Sequence, residues 1–237
     1  MAGYSNQKVF ILYEDEHLLV VKKPFGMESQ RGKSFAMDQE SLLRGYLSSK
    51  TKTDNPYLAV VHRLDRPVAG VMVYAKTKKA AADLSAQLQT ENFSKKYEAV
   101  VSGIVPACEG RLEGYLTADK RTGTTSVSSK ADPLAKKAVL TWKEIAREEV
   151  KSGEILLPYA SNPSPEGGWH FLSIVLETGR HHQIRAQLSH AGMPIAADVR
   201  YGGAKVHGPR GAIALCAAQL SFRHPITGKY LTFSWND

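Results

Sequence analysis

Val9-Phe10-Ile11-Leu12-Tyr13-Glu14-Asp15-Glu16-His17-Leu18-Leu19-Val20-Val21 holds two short apolar runs separated by four polar residues. The runs are strand-sized, and Glu-Asp-Glu-His between them reads as an acidic turn joining two strands. The same economy recurs along the chain. Lys23-Pro24-Phe25-Gly26 ends the second strand. Residues 58–61 and 71–75 read as strands on either side of a loop that contains Pro67 and Gly70. Residues 97–101, 140–145 and 171–176 add further strands. At the far end, 220–222 and 230–233 form a hairpin across Pro225-Ile226-Thr227-Gly228. Helices are fewer. Residues 41–47 are weakly helical. Residues 78–89 carry Ala80, Ala81, Leu84 and Leu88 at helical spacing behind a Thr77 cap. A third helix is expected over 181–190 with Ile184, Leu188 and Ala191 on its apolar face. Strands that follow one another directly and outnumber helices predict an α+β fold with a mainly antiparallel sheet. Residues 112–138, rich in Thr, Ser, Gly and Lys, read as loops and edge strands. Residues 148–168, with three prolines and Gly167-Gly168, read as a mobile insertion or long turn.

The chain has 237 residues, 43% apolar and 23% charged, an ordinary globular balance with enough length for a sizeable core. No apolar run approaches membrane-spanning length, and the polar opening over residues 1–8 followed at once by acids is not a secretory signal. Cys108 and Cys216 are the two cysteines, without CxxC spacing. A disulfide framework or structural zinc is therefore not expected, and a cytoplasmic location is. Lys plus Arg number 31 against 23 Asp plus Glu, a net charge of +8. That surplus favours a polyanionic partner through counterion release. The cations are dispersed, so any binding face must be assembled by folding.

Three constellations carry chemistry. In Val61-His62-Arg63-Leu64-Asp65-Arg66-Pro67 a carboxylate stands between two arginines at a strand end. Flanking cations keep such a carboxylate ionised and fit for nucleophilic attack, although the local pattern alone equally suits a surface salt bridge. In Glu177-Thr178-Gly179-Arg180-His181-His182-Gln183-Ile184-Arg185, Gly179 is expected to turn the chain and bring Arg180 to the mouth of a helix. In Lys95-Lys96-Tyr97 an aromatic after two lysines can stack on a base while the lysines meet phosphates, or can simply be a core tyrosine.

His62-Arg63-Leu64-Asp65 with Gly70 and the strand ending in Ala75-Lys76 resembles the signature of the RluA-type pseudouridine synthases. Gly179-Arg180 with His182-Gln183-Ile184-Arg185 is similar to that family's second signature. Gly192-Met193-Pro194-Ile195, Asp198 and Tyr201-Gly202 are similar to its next segment. The opening Tyr13 to Gly26 blocks and the closing His224-Pro225 with Thr227-Gly228 also match, all in the family's order. The resemblance implies a pseudouridine synthase fold: a mixed, mainly antiparallel sheet with flanking helices and a central RNA-binding cleft. It implies isomerisation of specific uridines in ribosomal or transfer RNA, with base flipping, no cofactor and no metal. Asp65 would be the nucleophile, Tyr97 the tyrosine packing on the target base, and Arg180 the partner of the carboxylate. Arg63 would replace the flipped nucleotide, and His62, Gln183, Arg185, Lys76 and Lys96 would line the RNA site, with His62 leaning to a structural role. We expect residues 1–237 to form one catalytic domain acting as a monomer. Because the pattern begins within about ten residues of Met1, no S4 domain is expected ahead of it.

The chain departs from the family pattern at Val68-Ala69 (usually Thr-Ser), at His181 (usually Thr or Ser) and at Ala197 (usually Gly). These positions bear on substrate choice and loop geometry. A non-catalytic RNA-binding or RNA-folding protein on the same scaffold is the chief alternative. A metal hydrolase built on His62, His181, His182 and His190 lacks HExxH or other ligand spacing, and His181 and His182 on one helix would diverge by about 100°.

Overall fold

A computed structural model describes residues 9–32, 37–163, 165–209 and 211–237. The polar opening over residues 1–8 lies outside them. The chain packs as two compact units. One comprises the chain to Ser94 with Gln219–Trp235 and Asp237; the other comprises Lys95–Ala218 with Asn236.

In the first unit β1 (Phe10–Glu14) and β2 (Leu18–Lys23) form the antiparallel pair expected from the opening sequence. The acidic turn has a specific chemistry. The Asp15 carboxylate accepts the backbone N–H of His17 and of Leu18, both at 2.7 Å, the Tyr13 hydroxyl at 2.8 Å, and His224 Nε2 at 2.7 Å. Burial would raise its pKa, but these bonds outweigh it and hold the carboxyl at about 2. β2 also pairs antiparallel with β4 (Ala69–Ala75), against which the short β3 (Ala59–Val60) lies. α1 (Gln39–Thr51) starts at Asp38, whose side chain accepts Ser41 N–H at 2.9 Å. Its true length exceeds the expected 41–47 because the polar majority of its residues hides the periodicity; only Gln39, Leu43 and Leu47 are buried. α2 (Lys78–Gln87) begins at the Thr77 cap as expected. Ala80 and Leu84 are fully buried against Leu18, Val20, Val71, Val73, Phe93, Leu220 and Phe222.

In the second unit β5 (Phe93–Ser102, entering from the first) pairs with β9 (Trp169–Leu176), β9 with β8 (Lys136–Glu144), and β8 with β6 (Glu109–Asp119). β6 pairs with β7 (Thr124–Ser128). All these ladders are antiparallel. The expectation of loops and edge strands over 112–138 holds for β7, at the end of the strand order, and is corrected for β6, which is eleven residues long and paired on both sides. Its Gly, Thr and Arg content conceals a strand because one of its faces stays in solvent. The expectation of a mobile insertion over 148–168 is also corrected. It contains α3 (Gly153–Ala160), with Leu156 and Tyr159 fully buried. The turn before α3 is fastened by Glu98, whose carboxylate accepts Ser152 N–H at 2.8 Å and Ser152 Oγ–H at 2.6 Å.

The final helix, α4 (Gln183–His190), starts two residues later than expected and is buried nearly all round, from Gln183 to Leu188. β10 (Leu215–Arg223) leads from the second unit back into the first. There residues 219–223 pair with β11 (Tyr230–Ser234) in the expected hairpin. The α+β class with a mainly antiparallel sheet is therefore as the sequence predicts.

Candidate RNA-modification site

Asp65 sits in a loop of the first unit between β3 and β4, half-buried, and its backbone is pinned on both flanks. Ser29 Oγ donates to the Leu64 carbonyl at 2.8 Å and accepts Leu64 N–H at 3.0 Å. Gly26 N–H donates to the Arg66 carbonyl at 2.7 Å, and Arg66 Nε returns a bond to the Gly26 carbonyl at 3.0 Å. Val68 N–H closes the turn on the Asp65 carbonyl at 3.0 Å. Such reciprocal bonding fixes where a side chain on residue 65 begins, which is what a preorganised reacting group needs. His62 is buried: its Nε2 accepts Val73 N–H at 3.2 Å, and its ring meets Phe93 edge-on at 5.5 Å. It braces the strand side of the loop, the structural role towards which the sequence leaned. Arg63 is exposed. Lys76 is committed to Glu14 at 2.9 Å and to the Asp15 carbonyl. Burial would raise the Glu14 pKa, yet Lys50 and Lys76 bring it to about 2.

In the second unit Tyr97 is buried on β5 at 6% exposure. Strand alternation puts Lys95 on the same face as Tyr97, and Lys96 on the face of Glu98. Of the two lysines, Lys95 shares the face of Tyr97. Lys95 is half-buried, and burial lowers its pKa. Its Nζ lies 3.4 Å from where a Cβ on Gly179 would stand. The left-handed residue of this turn is His182, at φ 50°. That replaces the expectation that Gly179 supplies the sharp turn.

Gln183 explains the second signature. Its Oε1 accepts Arg180 N–H at 3.0 Å and Thr178 Oγ–H at 2.9 Å, and its Nε2 donates to the Val139 carbonyl at 3.0 Å. A buried amide thus fastens the backbone of Arg180 to β8. Arg180 is exposed, and its Nε donates to the Lys137 carbonyl at 2.9 Å. Arg185 is buried and forked onto Asp198, Nε to Oδ2 at 2.6 Å and Nη2 to Oδ1 at 2.8 Å, with its guanidinium 4.7 Å from the Tyr201 ring centroid. Lys76, Gln183 and Arg185 are thus each engaged within the protein.

Ala197, beside Asp198, has φ 64°. A Cβ in that region costs about 1 kcal/mol or more. We expect Ala197→Gly to raise unfolding stability by about 0.5–1 kcal/mol, part of the relief being lost to the looser unfolded chain. Urea unfolding with an unchanged slope and a higher midpoint would show it; a lower midpoint would contradict it.

His181 and His182 lie before α4, and their rings stack with centroids 3.7 Å apart at 25°. They do not diverge as helical neighbours would, because the left-handed His182 breaks the helical path. His182 Nδ1 pairs with the Tyr201 hydroxyl at 2.8 Å, and that hydroxyl also accepts Thr125 N–H at 2.8 Å. Burial, then the Arg185 charge, depresses the His182 pKa to about 3. An unfolded histidine protonates near 6.5. Between those values the unfolded chain holds the extra proton, so this contribution to stability is full above about pH 7 and is lost as pH falls through 6.5 towards 3. We expect the urea midpoint to drop between pH 7.5 and 5. His182→Asn, compatible with φ 50°, should flatten that slope; an unaltered slope would refute the assignment.

Among the described residues no group of three or more His, Cys, Asp or Glu is placed to hold a metal ion, and no helix is long and apolar enough to cross a membrane. Residues 17–190 match the family model described as RNA pseudouridylate synthase. The chain is 29% identical over 228 residues to the tRNA pseudouridine synthase C of Pectobacterium carotovorum, and 32% identical over 235 residues to the ribosomal large subunit pseudouridine synthase D of Zymomonas mobilis. Each alignment covers 94% of this chain; it spans 57% of the first relative's length and 67% of the second's. A human protein, RNA pseudouridylate synthase domain containing 4, shares the fold with a TM-score of 0.70 at 21% identity, covering 95% of this chain and 87% of that one. The family model spans the Asp65 loop, β5 and the Arg180 turn together, and with these relatives it establishes that the chain belongs to the RNA pseudouridylate synthase family, of the RluA type.

Proposed function

We propose that this chain converts uridine to pseudouridine in a structured ribosomal or transfer RNA, with Asp65 as the nucleophile. The observation that carries this reading is the doubly pinned loop holding Asp65, in a chain of this family. The reaction breaks the bond between ribose C1′ and uracil N1 and rejoins the base through C5. Atoms are conserved and nothing is oxidised. The target base leaves its stack at a cost of a few kcal/mol, which phosphate contacts offset, and exposed Arg63 fills the vacancy. Asp65 then attacks C1′ or C6, or abstracts a sugar proton to give a glycal. Arg180 pairs with the carboxylate through its terminal nitrogens, its Nε being held by Lys137. Tyr97 stacks on the detached uracil, and Lys95, on the same face of β5, supplies the nearby cation.

The test is tritium release from RNA bearing uridine labelled at C5, because C5 loses its hydrogen only when it becomes the glycosidic carbon. Release by the purified protein supports the reading. Binding of RNA without release would leave the non-catalytic RNA binder. Mapping pseudouridines in total RNA with and without the gene would identify the target.

A further inference from the structure

The ring pair before α4 has one half-buried and one exposed member. His182 is fixed from below by Tyr201, while His181 is exposed, lies on the His182 ring, and is held at its edge by Thr125 Oγ1, 3.1 Å from Nδ1. Thr125 is itself buried on β7 and bonded to Tyr201. A flat aromatic face is thus presented to solvent with its orientation set on two sides. The surroundings are cationic. Arg200 is exposed and reaches the Gly123 carbonyl at 3.3 Å, at the tip of the β6–β7 hairpin, where Lys120 and Arg121 are also exposed. The one acid of that tip, Asp119, is also exposed and accepts Arg121 N–H at 2.7 Å.

A preset aromatic face among arginines suits a base lying flat, with phosphates on either side. We propose that His181 is a stacking platform for an unpaired RNA base flanking the target, and that Arg200 and Arg121 receive the adjoining phosphates. The proposal rests on the RNA-modifying role above. It assigns to His181 a function in substrate selection.

The experiment uses the full chain, a fluorescein-labelled twelve-residue oligouridylate for affinity, and C5-tritiated total RNA for turnover. His181→Ala should weaken oligouridylate binding about tenfold and raise KM by more than it lowers kcat. His181→Phe should return affinity to within about twofold of the parent. Arg200→Ala should reduce the slope of log affinity against log salt by about 0.7. Unfolding midpoints of the His181 variants should match the parent, since the ring is exposed. Equal affinity of His181→Ala and the parent, or failure of phenylalanine to restore binding, overturns the platform. If the parent binds RNA and releases no tritium, the isomerase reading fails while the platform stands.

Discussion

Asp65→Asn is expected to fold and to retain RNA affinity within a few-fold, yet to release no tritium from C5-labelled uridine above a background roughly 10⁴-fold below the parent. The substitution preserves shape. The bonds that place residue 65 run through Ser29 to the Leu64 backbone and through Gly26 to the Arg66 backbone, and neither involves the carboxylate. What changes is the chemistry: a neutral amide neither adds to C1′ or C6 nor removes a sugar proton. Losses from proximity or stacking are smaller and show in KM, so a loss confined to kcat separates a reacting group from a binding one. Turnover by the Asn variant near the parent's rate would remove Asp65 as nucleophile. Arg180→Ala should be severely impaired as well. Because Gln183 grips the residue-180 backbone, that loss would report the missing guanidinium and not a rearranged turn.

The largest expected effect on stability comes from Asp198→Asn, about 3–5 kcal/mol by urea unfolding. Arg185 and Asp198 are 6% and 1% exposed at their side chains and are joined by two short bonds. Removing the negative partner leaves a guanidinium in the interior with only the Tyr201 face and its remaining polar contacts. The pair fastens α4 to the Ile195–Gly203 segment, where Ile195 and Asp198 backbone atoms leave no room for a Cβ on Gly203. The damage should therefore reach the His182–Tyr201 contact and the platform above it. Replacing both partners with apolar residues, Arg185→Met with Asp198→Leu, should destabilise less than Asp198→Asn alone, since no charge is then buried unpaired. A single substitution costing under about 1 kcal/mol, or a double costing more than the single, would show that the pair is not the fastening.

Local signals were legible wherever a short stretch of sequence dictates its own backbone. The acidic turn at Asp15, the Thr77 cap, the closing hairpin and the apolar strands were of this kind, and so was the order of family blocks around Asp65 and Arg180. Elements read as irregular were those whose sequence lacks a clean period. β6 carries Gly, Thr and Arg on a long paired strand, and α3 contains Pro158 yet is held by burial of Leu156 and Tyr159. Among the site residues, type and order pointed to Asp65, Tyr97 and Arg180 as candidates, but the ion partners of their neighbours were not legible. Lys76 pairs with Glu14 and Arg185 with Asp198, pairings that the local sequence does not announce.

Strand periodicity, helix caps and turn chemistry follow from nearest neighbours along the chain, so the α+β class was determined by sequence alone; the family was legible in the sequence through the resemblance of its ordered motif blocks. Which lysine shares the face of Tyr97, and how Ser29 and Gln183 steady residues 65 and 180, were decided by tertiary structure. Each depends on a hydrogen bond or close approach between residues whose separation along the chain says nothing about their separation in space. A buried polar group must find its partner wherever the fold supplies one.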